Sequence, residues 1–140
     1  MSTTWDHHAA RMHVKGKFLY CGEEKFYIKG VTYGTFAPDK DDCQFPDVYT
    51  IEKDFNMMAM HGINCIRTYT VPPLYLLDIA DSLNLKVMVG LPWEQHITFL
   101  DKQSIKSDII RRVKEGVISC NKRAAILCYT IGNEIPPSIV

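Results

Sequence analysis

Ala125-Ile-Leu-Cys-Tyr-Thr-Ile-Gly-Asn-Glu134 is an apolar, β-branched and aromatic run that stops at a polar pair, Asn133-Glu134, with Ile135-Pro136-Pro137 directly after it. A run of this length and composition reads as a buried strand of a parallel sheet. The carboxyl ends of parallel strands face the ligand crevice, so a carboxylate one residue past such a strand stands where a substrate sits. Glu134 is therefore the first candidate for a catalytic residue. The plainer alternative is a turn or a helix cap, for which Gly132, Asn133 and Glu134 are ordinary residues.

The same pattern repeats upstream. Gly30-Val-Thr-Tyr-Gly34 is a short strand bounded by glycines. Thr50 is a suitable N-cap for a helix with Ile51, Phe55, Met58 and Ala59 on one face, and Gly62 ends it in a left-handed conformation before a second strand at 64–69. Met57, Met58 and Met60 are expected to pack against the sheet. Pro72 and Pro73 open a second helix carrying Leu74, Leu76, Leu77, Ile79, Ala80 and Leu83, with Asn84 as its left-handed terminator. A third strand, 86–91, ends at Pro92-Trp93. Ile105, Ile109, Val113 and Val117 then recur at four-residue steps on a third helix whose solvated face holds Arg111, Arg112, Lys114 and Glu115. The connection from 35 to 49, rich in Asp and Pro, has a length that marks functional or disordered loops.

Ahead of the repeats, 14–20 and 24–29 alternate weakly around Cys21-Gly22-Glu23 and read as a β-hairpin. The expected fold is α/β: an N-terminal β-hairpin, then the first half of a TIM (β/α)8 barrel with four parallel strands and three right-handed crossover helices. A complete barrel takes about 250 residues, and this chain has 140. The expected organisation is a polar, disordered tail at 1–13 followed by a truncated barrel at 14–140. Its first and fourth strands would be open edges, so the chain alone is expected to associate or to fold only in part. A doubly wound sheet is disfavoured, because 30–38 contains no GxGxxG turn.

Composition narrows the function classes. Sixteen basic residues balance sixteen acidic ones, at a sequence pI near 6.9, so no summed field draws the chain to nucleic acid or to an anionic membrane. No stretch reaches the roughly 18 apolar residues of a membrane span, and the N-terminus lacks a signal-like apolar core. A soluble, cytoplasmic location is expected. Five cysteines without a CxxC pair read as small buried hydrophobes in a reducing compartment. His7 and His8, with His13, fall in a tail expected to be disordered, so a metal held there is not expected.

The four strand ends gather Tyr33 and Thr35, Arg67 and Tyr69, Trp93 with Glu94 and His96, and Asn133 with Glu134. Cleaving a glycosidic bond needs a proton for the leaving oxygen and a second carboxylate at the oxocarbenium-like centre. Glu134 beside an Asn able to hold a sugar hydroxyl, with Trp and Tyr offering flat apolar faces, makes half of such a site. Arg67 is a cation able to keep a neighbouring carboxylate ionised, or simply the structural partner of a strand-end acid. Trp93 is expected to line a pocket, His96 is a substrate contact or an ordinary surface residue, and Tyr33 and Tyr69 are wall or core.

With these residues in place, Gly62-Ile-Asn-Cys-Ile-Arg67 at the second strand and Asn133-Glu134 at the fourth resemble the first half of the clan A glycoside hydrolases. Within the clan the chain is most similar to the family-two catalytic barrel. Gln44-Phe-Pro-Asp47, Arg67-Thr-Tyr-Thr-Val-Pro-Pro73, Val89-Gly-Leu-Pro-Trp-Glu94 and Ile131-Gly-Asn-Glu-Ile-Pro136 also resemble hydrolase-type domains at the N-terminus of some bacterial glycosyltransferases. The resemblance implies that Glu134 is the general acid/base of a retaining mechanism on a β-linked oligosaccharide or polysaccharide, that Asn133 binds the sugar 2-hydroxyl, and that Arg67 contacts the nucleophile. It places that nucleophile on a seventh strand, so this chain alone is expected to be inactive. The alternative it leaves is a non-catalytic carbohydrate-binding or regulatory module attached to a glycosyltransferase.

Overall fold

The computed structural model describes residues 11–93, 102–120, 123–134 and 137. Strands β1 (Met12–Lys15), β2 (Phe18–Cys21) and β3 (Glu24–Lys25) form a small antiparallel sheet in that order. The sequence suggested one strand across 14–20, and this is corrected: the chain reverses at Gly16-Lys17, pairing Lys15 with Phe18. Gly16 adopts φ +63, a conformation that a two-residue hairpin loop needs and that glycine reaches without a Cβ clash. A second reversal at Gly22, φ +59, sets Glu24 opposite Cys21. Met12 and His13, assigned to the tail from sequence, belong to β1.

The second sheet is parallel throughout and ordered β4 (Gly30–Thr32), β5 (Cys65–Thr68), β6 (Lys86–Leu91), β7 (Ile126–Ile131). Helices α1 (Val48–Met60), α2 (Leu74–Ser82) and α3 (Gln103–Cys120) connect successive strands. The architecture is the first half of a (β/α)8 TIM barrel, as the order of strands and helices along the sequence predicts.

Local chemistry sets the helix ends. Asp47, not Thr50, caps α1: its carboxylate accepts the Thr50 N–H at 2.8 Å, so Thr50 is the third residue of the helix. At the other end Gly62 (φ +77) donates to the Ala59 carbonyl and Ile63 to that of Met58, the paired bonds of a Schellman cap. Asn84 (φ 55) and Leu85 repeat those bonds onto Asp81 and Ala80 at the end of α2. Each cap delivers the chain straight into the next strand. Pro73 is the N-cap residue of α2, which places both prolines ahead of the helix.

Alternation along the strands separates two faces. Ile66, Val87, Val89 and Leu91 point to the helices, where they pack with Ile51, Phe55, Leu76, Leu77 and Ala80 in one buried core. Met58 packs on that core, but Met57 and Met60 turn outward and are 51% and 84% exposed, which corrects the expectation that all three methionines meet the sheet. One turn of helix cannot face its whole circumference to a single layer.

Glycine permits two close approaches. A Cβ at Gly90 would stand 2.4 Å from the Tyr69 carbonyl oxygen and 2.5 Å from that of Thr68, so the chain leaving β5 crosses directly over β6. A Cβ at Gly116 would meet Leu91 Cδ2 at 2.5 Å, which brings α3 down onto the sheet. Polar ties close the bottom of β7. Buried Lys86 donates from Nζ to the Ala124 carbonyl at 2.9 Å, and Arg123 pairs with Asp78 on α2.

Two outcomes are expected. Gly90→Ala forces backbone apart and lowers stability by about 3 kcal/mol in a denaturant titration; a loss within 0.5 kcal/mol, or about the noise of such a titration, contradicts the close crossing. The Thr50 N–H also holds the Asp47 carboxyl below its ordinary value of 3.8. A lowered folded value means that the ionic cap stabilises above the unfolded carboxyl range and loses this contribution as pH falls through the folded value. Wild type is therefore expected to melt above Asp47→Asn at pH 7, with the difference vanishing on acidification below 3.8.

Candidate functional site

The carboxyl ends of β5, β6 and β7 lie side by side, and the candidate residues stand at or just past them. On β5, Arg67 is half-buried on the concave face of the sheet, fixed by neighbours Ile66 and Thr68 that are wholly buried on the opposite one. Its Nη2 donates to Asn133 Oδ1 at 2.6 Å, reaching across β6 to the residue two past the end of β7. The Tyr69 ring lies against the same guanidinium, with 4.7 Å between Arg67 Cζ and the ring centroid.

This hydrogen bond decides the polarity of Asn133. A guanidinium only donates, so the atom facing Arg67 is the carboxamide oxygen, and the two N–H bonds of Nδ2 are not engaged by Arg67. Asn133 thus offers donors to an acceptor such as a hydroxyl oxygen. Among the described residues Arg67 bonds to this amide and not to a strand-end acid, which leaves the structural acid pairing without support.

Glu134 follows, exposed and at φ 48. A left-handed backbone at a residue with a Cβ costs about 1 kcal/mol or more. The turn is reached through Gly132 at φ +75, whose N–H donates to the Leu91 carbonyl at 3.2 Å and so ties the end of β7 to β6. Trp93 is half-buried two residues beyond β6. Glu94 and His96 lie outside the described residues.

Of the two places left open for Tyr33, the structure has it in the core. It is 5% exposed, packs edge-on against Phe36 and Phe55, and donates its hydroxyl to Asp54 Oδ2 at 2.8 Å. Burial, and then the Asp54 carboxylate, raise its pKa well above the ordinary 10.0.

Sequence reasoning missed part of the cleft. The loops after β4 and β5 enclose a shallow space of about 290 Å³ lined by residues 42–45 and 70–73. Gln44, Phe45 and Thr70 also border the adjoining hollow with Thr35, Tyr69 and the edge of the buried Tyr33. Asp39 Oδ1 orders this loop by accepting the N–H groups of Asp41 and Cys43, and Tyr75 pins it to α2 by donating to the Pro46 carbonyl at 3.0 Å. The unusual length of the loop, and the stretches 44–47 and 67–73 that carry the family resemblance, were the signals that pointed here. Among the described residues, no cluster of three or more His, Cys, Asp or Glu is placed to hold a metal, and no helix is long and apolar enough to cross a membrane.

No family model and no curated relative matches the sequence. Solved structures match by fold. Gas2p of Saccharomyces cerevisiae, in complex with laminaripentaose, superposes at a TM-score of 0.67 with 18% identity over 87% of this chain and 30% of its own. The β-glucuronidase of Parabacteroides merdae matches at 0.67 and 16% identity, over 88% of this chain and 15% of its own. That of Ruminococcus gnavus matches at 0.70 and 13% identity, over 91% and 22%. The chain spans less than a third of each, and at these identities the likeness is one of fold.

The strained backbone at Glu134 gives a direct expectation. Glu134→Gly relieves the left-handed conformation and raises stability by about 1 kcal/mol in a denaturant titration. An unchanged or lowered stability would mean that the turn carries no strain.

Proposed function

We propose that residues 14–140 form the acid/base half of a retaining glycoside hydrolase site that acts on a β-linked carbohydrate within a complete eight-stranded barrel. The observation that carries the reading is the 2.6 Å bond from Arg67 to Asn133, made at strand ends that lead directly into Glu134. The fold is shared with Gas2p and with β-glucuronidases, which favours the same reading.

Each residue then has a role set by its chemistry. Glu134, as the carboxylic acid, protonates the leaving glycosidic oxygen; as the carboxylate, it afterwards takes a proton from the water that releases the sugar. Asn133 donates from Nδ2 to the sugar 2-hydroxyl oxygen, because its own oxygen already accepts from Arg67. The other N–H groups of Arg67 are directed to the nucleophilic carboxylate, supplied by a later strand roughly 5 to 5.5 Å from Glu134. Tyr69 holds the guanidinium in place. Trp93, with Glu94 and His96 after it, borders the sugar. The two carboxylates carry the chemistry, and the mechanism requires neither a metal nor an organic cofactor.

The test is kinetic, with aryl β-glycosides as substrates for the polypeptide that carries the whole barrel. Glu134→Gln is expected to lower kcat/KM by about 10²- to 10⁴-fold for poor leaving groups and far less for activated ones. Equal losses for both, or none, refute the acid/base assignment. Asn133→Asp keeps an oxygen for Arg67 but removes the Nδ2 donor, so it should weaken glycan binding. An inactive barrel that still binds glycan through Asn133 identifies a binding module, of the kind expected beside a glycosyltransferase.

A further inference from the structure

The second feature built for recognition lies away from the strand ends, on the N-terminal sheet. Register places His13, Tyr20 and Lys25 in one row and Lys15 with Phe18 in the next, all on one face. The opposite face carries Met12, Leu19, Cys21 and Phe26, all partly buried, together with the exposed Val14 and Glu24. The first face is basic and aromatic. Lys25 Nζ sits 3.9 Å above the Phe18 ring centroid with Lys17 Nζ at 6.0 Å, while Lys15 Nζ is 5.7 Å from the Tyr20 centroid and His13 stacks on that ring at 5.7 Å.

Three ammonium groups therefore converge on two rings of one strand. Glu24 falls opposite Cys21 and Met12, on the other face, and Glu23 lies in the turn. Among the described residues no carboxylate is ion-paired with Lys15, Lys17 or Lys25. Residues 11–29 hold five Lys and Arg against two Glu, although the chain as a whole is neutral. Like charges held together without a counter-charge repel, and an anion relieves that repulsion. The rings restrict the lysine stems, which lowers the ordering cost of binding.

The geometry points to this face as a docking platform for an acidic polysaccharide, a glycan with carboxylates spaced along its length. The cations converging on the rings are lysines, point charges suited to one carboxylate at a time, whereas planar bidentate recognition of phosphate favours arginine. Stacking of nucleic-acid bases needs open aromatic faces, and here ammonium and imidazole groups occupy them. Insertion into a membrane needs a broad protruding apolar face, whereas here the exposed Phe18 ring stands among Lys15, Lys17 and Lys25. The platform rests on the N-terminal sheet and is independent of Glu134.

Binding is measured by calorimetric titration of the polypeptide that carries the whole barrel with polygalacturonate at low salt. Wild type should bind, and its affinity should fall about tenfold or more between 50 and 200 mM salt if three cations are neutralised. Combined Lys15→Gln, Lys17→Gln and Lys25→Gln should weaken binding at least about tenfold, as expected for loss of three charge contacts. Phe18→Leu keeps every charge and should weaken it by about threefold through loss of the ring beneath Lys25; it also keeps the test valid should the triple variant fail to fold. The proposal is overturned by absent binding, by equal binding of both variants, by equal affinity for a neutral galactan, or by binding only to single-stranded RNA or to phosphatidylserine vesicles.

Discussion

Period-two alternation along β5 and β6 is the constraint on which the molecule depends. The same strands must seal an apolar layer under the helices and present polar groups on the concave side. Ile66, Val87, Val89 and Leu91 meet the first demand, packed among Ile51, Phe55, Leu76 and Leu77. Because both sequence neighbours of Arg67 are fully buried on the helix side, its backbone cannot rotate without opening the core. A charged side chain is thereby aimed across the sheet by apolar packing behind it.

The Arg67 to Asn133 bond converts that aim into a tie between strand ends. It spans β6, a reach of two strand spacings, or about 10 Å between backbones, which a long guanidinium side chain covers. It fixes the end of β7 from above while the Gly132 to Leu91 bond fixes it from the side. Between these ties the chain must turn sharply, and it does so with Glu134 in a left-handed conformation. Strain at a residue proposed to move a proton is a cost that neighbouring contacts must hold in place.

Charge is distributed with a similar economy. At the foot of the half barrel Lys86, Arg123 and Asp78 are tied to backbone or to one another and join β6, α2 and the start of β7. On α3 Arg111 and Arg112 are matched by Asp108 and Glu115 in exposed pairs, which contribute little to stability. The lysines of the N-terminal sheet differ because they gather over aromatic rings without acidic partners among the described residues. A balanced total thus conceals a segregated surface.

The sequence by itself determined the elements and their order. Apolar runs of strand length, four-residue helical steps and Gly62 and Asn84 as left-handed stops were all legible, because periodicity and capping are local properties. Local reading also erred where two residues compete for one role: Asp47 took the cap from Thr50 because its carboxylate meets the Thr50 N–H, and Gly16 broke a strand that alternation alone suggested. Only the tertiary structure decided that Tyr33 is buried, that Arg67 pairs with an amide, that the Asn133 oxygen is the atom it meets and that lysines from β1, the first turn and β3 share a face. These are contacts across strands or between segments remote in sequence. Their partners are chosen by sheet register and by which side of each strand is buried, quantities that exist only once the strands have assembled.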